Sequence, residues 1–118
     1  MPLIDTATAR RFAGDWIDAW NRHDPDAVLS HYAEDFEFSS PLIVDMVGEP
    51  SSTLKGKAAV RAYWTTGLQR IPDLHFQLLD VLTGIDQVTL YYQGHRGRVT
   101  ECFHFDASDR VIRAAASV

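Results

Sequence analysis

The spacing of the apolar residues changes once along the chain, and that change constrains the fold more than any other feature. In the first half Phe12, Ala13, Trp16, Ile17 and Trp20, and later Val60, Tyr63, Trp64 and Leu68, recur at three- and four-residue intervals, the period of amphipathic helices. From Leu74 onward the period is two. LHFQLLDVLTG, QVTLYYQGH, RVTECFHFD and RVIRAAASV read as four strands, separated by Gly84-Ile85-Asp86, Gly94 to Gly97 and Ala107-Ser108-Asp109. Connections this short join antiparallel neighbours, because a parallel pair needs a crossover of a dozen residues or more. A helical front half followed by a meander predicts an α+β fold with helices on one face of a curved sheet.

The helical half divides at its breakers. Asp5 is placed to cap a helix running from about Thr6 to Arg22. Asp24-Pro25-Asp26 supplies a cap, a proline at the first helical position and an acidic first turn for a second, short helix through about Tyr32. YAEDFEFSSP then reads as a strand with Phe36, Phe38 and Ser40 on one face. The segment Pro41 to Lys55 is rich in Pro, Gly and Ser and reads as a long connection able to act as a lid. A third helix is predicted from about Lys57 to Leu68, ended by Gly67 and Pro72. With 118 residues and no internal repeat, residues 1–118 are expected to form one domain around one core.

Charge and composition exclude several functions. A net charge of −5, with Arg96 and Arg98 the only dense basic pair in the C-terminal half, speaks against nucleic acid, whose phosphates need clustered cations. No apolar run approaches the roughly 20 residues that span a bilayer, and no secretory signal pattern opens the chain, so a cytoplasmic protein is expected. Cys102 is the only cysteine, so no internal disulfide can form. The five histidines show no metal-ligand spacing; Cys102 and His104 share one strand face, which reads as sheet surface or subunit contact. Neither a phosphate loop nor a dinucleotide fingerprint is present, and no cofactor or metal is expected.

One polar residue stands out against the strand alternation. In RVTECFHFD, Val99, Glu101, Phe103 and Phe105 share a face, and Glu101 is the only acid among them. A carboxyl on a core-directed face is desolvated, which raises its pKa and suits it to donate a hydrogen bond or act as an acid. The competing reading is an edge residue that reaches solvent or pairs with Arg98 or Arg113. Around it, Trp16, Trp20, Tyr32, Phe36, Phe38, Trp64, Tyr91 and Phe103 form an aromatic set, most of it core, the remainder able to line a pocket with Ser40 as a further polar point. Such a pocket suits a small, largely apolar molecule.

WIDAWNRHDPDAVLSHYAEDFEF, LKGKAAVRAYW and CFHFDASDRVIR, in this order over nearly the whole chain, resemble the SnoaL-like (polyketide cyclase-like) proteins of the NTF2-like superfamily. The resemblance implies an NTF2-like, cystatin-like cone, in which three N-terminal helices wrap a curved mixed, mostly antiparallel sheet, and a homodimer formed through the outer sheet face. It leaves activity open, since the superfamily hosts many chemistries. Relative to the ketosteroid isomerases of that superfamily, Trp16 falls at the position of a catalytic tyrosine, Ser40 at the aspartate base and Glu101 at the protonated acid. Only the acid is kept, and a serine with no partner base cannot take a carbon-bound proton at neutral pH. Asp45 and Asp80 are the weaker carboxylate candidates. Three functions follow: metal-free isomerase, cyclase or hydrolase-like acid–base chemistry through Glu101, ligand binding without catalysis in the same pocket, or a dimeric interaction module using the sheet face.

Overall fold

The computed structural model describes residues 4–118 and shows four helices and a six-stranded sheet among them. Helix α1 (Thr6–Asn21) starts where Asp5 accepts the Thr8 amide at 2.7 Å, and it buries Phe12, Ala13, Trp16 and Trp20 on one stripe. Helix α2 (Pro25–Leu29) is capped by Asp24, which accepts the Ala27 amide at 3.0 Å; it ends at Leu29, so Tyr32 opens the following strand rather than closing the helix.

Strands β1 (Tyr32–Ser39), β2 (Thr53–Lys55), β3 (Gln77–Thr83), β4 (Gln87–Gln93), β5 (Arg98–Phe105) and β6 (Val111–Ser117) form one sheet in the order β2-β1-β6-β5-β4-β3. All pairs are antiparallel except β1 with β6. This is the expected mixed, mostly antiparallel sheet.

The helix count is four, one more than expected. Pro41–Val47, inside the segment read as a connection, is helix α3. Ser40 caps it by accepting the Leu42 amide at 3.3 Å, Pro41 occupies its first turn, and Gly48 ends it in the left-handed region at φ 75°. Helix α4 (Lys57–Arg70) runs through Gly67 rather than stopping there and buries Val60, Tyr63 and Trp64. Gly56 precedes it at φ 91°, a backbone that favours glycine.

The corner between α1 and α2 positions the far side of the sheet. Asn21 grips the backbone of Phe76, its side-chain amide donating to the carbonyl at 2.9 Å and its oxygen accepting the Phe76 N–H at 2.7 Å. His23 donates through Nε2 to the Leu74 carbonyl at 2.9 Å. These bonds hold residues 74–76, which have no ladder partner, against α1, and Phe76 stacks on Trp16 with ring centres 6.1 Å apart. Arg61 of α4 clasps Asp26 of α2 through two nitrogens at 2.7 and 3.1 Å. That pair is exposed and contributes little to stability.

Candidate functional site: an aromatic cavity with a buried acid

The interior of the cone has a filled end and an open end. At the filled end Phe12, Trp16 and Tyr32 pack edge to face on Phe103, with centroids 4.9 Å apart for Phe12–Phe103 and 5.3 Å for Trp16–Phe103, and Phe36 lies tilted against Tyr32 at 4.4 Å. At the open end a cavity of about 640 Å³ lies among Trp20, Phe38, Tyr63, Trp64, Phe76 and Tyr92, with Trp16, Leu42, Met46, Leu68 and Val99 completing the walls. Its mouth is formed by α3, the end of α4 and the Gly94–Arg98 turn.

Glu101 lies on the cavity wall and is only 3% exposed. Its one hydrogen-bond partner is Tyr92, whose hydroxyl donates to Oε1 at 3.4 Å. No cation among the described residues pairs with it: Arg98 turns to the outer face, where its guanidinium donates to the Tyr91 hydroxyl at 2.8 Å, and Arg113 is exposed. Burial therefore pushes the Glu101 carboxyl up to about 8, opposed only in part by the Tyr92 hydrogen bond. At neutral pH Glu101 is a neutral acid with one oxygen accepting from Tyr92 and an O–H left to donate. The phenols of Tyr32 and Tyr92 are both pushed well above their ordinary range, by burial first and by the Glu101 charge second, so they too keep their protons.

The polar atoms around the cavity differ in what they have left to offer. Trp16 donates its Nε1–H to the Tyr32 hydroxyl at 2.9 Å, so that donor is used inside the protein. Trp20, 7% exposed, has no acceptor for its Nε1–H among the described residues. Ser40 lines the cavity, and its oxygen is engaged as the cap of α3. It is thus a structural residue, not merely the small group left where a base is missing.

Of the residues singled out in the sequence, Trp16, Trp20, Phe38, Ser40, Trp64 and Glu101 line the cavity together. Tyr32, Phe36 and Phe103 do not line it; they are fully buried behind it as core. Tyr91 is displaced from the expectation: Val88, Leu90 and Tyr92 are the buried residues of β4, so Tyr91 faces outward, and Tyr92 occupies the inner place. Counting in twos from Val88 identifies Tyr92; Phe76 lies in the run LHFQLLDVLTG read as a strand, and the structure places it just before β3, which starts at Gln77. Asp45 stands exposed at the rim on α3, whereas Asp80 is exposed on β3 and accepts the amide of the adjacent Val81 at 2.8 Å, away from the cavity. Cys102 and His104 sit on the outer face with Sγ and Nε2 3.8 Å apart.

The SnoaL-like domain family matches residues 13–115. A SnoaL-like protein of unknown function from Burkholderia thailandensis is 51% identical, with 98% of this chain and 97% of that one covered at a TM-score of 0.94. More distant in sequence, a cystatin-like fold protein from Methylobium petroleophilum is 15% identical, covering 98% and 78% at a TM-score of 0.75. A protein of ketosteroid isomerase-like fold from Catenulispora acidiphila, solved in complex with trimethylamine, is 16% identical, covering 94% and 87% at 0.72. No curated protein matches the chain. The family match over most of the chain, with the four helices wrapped on a mixed sheet, makes this protein a member of the SnoaL-like family.

Proposed function

We propose that the protein binds a small, largely apolar molecule carrying a carbonyl-type acceptor, and that Glu101 holds this acceptor as a neutral hydrogen-bond donor. The observation that carries the reading is a glutamate only 3% exposed on the wall of an unfilled aromatic cavity, with no cation among the described residues to balance it. A buried acid of this kind costs stability unless a partner uses it. A ligand acceptor atom beside Glu101 would satisfy its free O–H.

The same donor favours polarisation of a carbonyl over proton abstraction. The buried groups Glu101, Tyr92 and Tyr63 keep their protons at neutral pH, and the Ser40 oxygen accepts the Leu42 amide as the cap of α3. Any catalysis would therefore run through Glu101 as acid or polarising donor, with a base supplied by the substrate, by water or by Asp45 at the rim.

Tryptophan quenching by 2-acetonaphthone tests this. Affinity should hold from pH 6 to 7 and fall about tenfold as pH rises through 8, when Glu101 ionises. Glu101→Gln should bind with no pH dependence over that interval. Equal affinity of the wild type at pH 6 and 9.5 would contradict the role of Glu101. An organic cation is the competing ligand class, since aromatic faces beside a carboxylate suit it and a relative of this fold was solved with trimethylamine. Tetramethylammonium would show the opposite sign, binding better above pH 8.

Self-association through the outer sheet face is a second proposal, supported by Leu82, 57% exposed, and by Tyr91, Cys102 and His104 on the same face of the sheet. Sedimentation equilibrium at micromolar concentration should give a dimer; a monomer would remove this proposal and leave the cavity reading intact.

A further inference from the structure

The mouth of the cavity differs in charge from both its interior and the rest of the molecule. The protein carries a net charge of −5, yet the mouth gathers Arg70 from the end of α4 and His95, Arg96 and Arg98 from the β4–β5 turn. Arg98 is occupied with Tyr91 on the outer face. Arg70 and Arg96 are exposed, and neither has an ion-pair or side-chain hydrogen-bond partner among the described residues. Of the other cations, Arg22, Lys55 and Arg61 each meet a carboxylate within 4.0 Å, while Arg10, Lys57, Arg110 and Arg113, likewise without an ion pair among the described residues, do not line the cavity. Two free guanidiniums from two different elements thus face one opening, with Asp45 on α3 the only acid at that rim.

The geometry points to an amphiphilic anion as the ligand: an apolar body in the cavity and a carboxylate or phosphate outside it, held at the mouth by Arg70 and Arg96. This rests on the cavity being a binding site, as proposed above. The division of charge supports it. An anion deep in the cavity would lie beside Glu101 with no cation to balance it, whereas the mouth offers planar donors suited to carboxylate or phosphate oxygens. A neutral Glu101 at depth leaves the charge of the ligand to be read only at the rim.

Three naphthalene probes of one ring body separate the contributions: 1-naphthylacetate, 1-naphthyl phosphate and the neutral 1-naphthylacetamide. At least one anion should bind about tenfold more tightly than the amide at low salt, an advantage that shrinks as salt is raised. Arg70→Gln with Arg96→Gln should abolish that advantage while leaving the amide's affinity unchanged. Tighter binding of the acetate than of the phosphate would identify a free acid; the reverse would identify a phosphorylated ligand. Equal binding of anions and amide by the wild type, or equal weakening of all three in the double variant, would overturn the inference. Failure of every probe, the amide included, would instead refute the cavity as a binding site and this inference with it.

Discussion

The two ends of the aromatic interior are built from the same residue types and do different things. At the filled end Phe12, Trp16, Tyr32, Phe36 and Phe103 leave no space, and the one indole N–H there is bonded to a phenol at 2.9 Å. At the open end Trp20, Phe38, Tyr63, Trp64 and Tyr92 surround about 640 Å³, and the indole N–H of Trp20 has no acceptor among the described residues. Glu101 stands on the wall of the open end with an uncommitted O–H. Aromatic rings alone therefore do not distinguish core from site; open space beside a carboxyl with no cation among the described residues does.

The largest effect should come from breaking the filled end. Phe103→Ala would open a void in contact with Phe12, Trp16 and Tyr32 and should cost about 3–5 kcal/mol in urea unfolding. Phe38→Ala only enlarges space that already exists, so it should cost roughly half as much and instead weaken binding of an aromatic probe. Equal losses of stability at the two positions would mean that the open end is packed in solution.

Next comes the pH dependence of stability. The folded Glu101 titrates near 8, above the value of an unfolded carboxyl, so the folded chain holds an extra proton between the two. The stability tied to Glu101 is full below about pH 4 and falls by about 1.4 kcal/mol per pH unit until pH passes 8. His31, held below its ordinary range by burial, acts in the opposite direction below about pH 6.5. The contribution of Glu101 is therefore read as the difference between wild type and Glu101→Gln, which should lack the fall between pH 6.5 and 8.

The smallest effect is expected at Ser40. Its replacement by alanine removes the cap of α3 and should cost about 1 kcal/mol while changing probe affinity less than twofold. A large loss of binding with unchanged stability would instead make Ser40 a ligand contact.

Much of this was legible in the sequence because the motifs that identify the fold perform structural tasks. Asn21 and His23 tether residues 74–76, Gly56 turns the chain into α4, and Asp106 closes the β5–β6 turn by accepting the Ser108 and Arg110 amides. The two-residue period put Glu101 on the inner face, where it lies. Less accessible was anything decided by volume or by a single residue of register. Tyr91 and Tyr92 are adjacent and alike, and only the phase set by Val88 and Leu90 sends the second inward. Helix α3 is seven residues long, too short for a periodic signal, although the serine, proline and glycine that bound it were visible. No pattern in the sequence states whether an aromatic interior is filled or hollow, because that depends on how far apart the sheet and α4 hold their side chains.

The central claim is that Glu101 is a neutral acid in the folded protein at neutral pH. Its side-chain carboxyl can be followed by carbon NMR in protein labelled at glutamate, with Glu101→Gln identifying the resonance. The account predicts a protonated carboxyl at pH 7 with a midpoint near 8. A midpoint between 4 and 5, the range of an exposed glutamate, would contradict it.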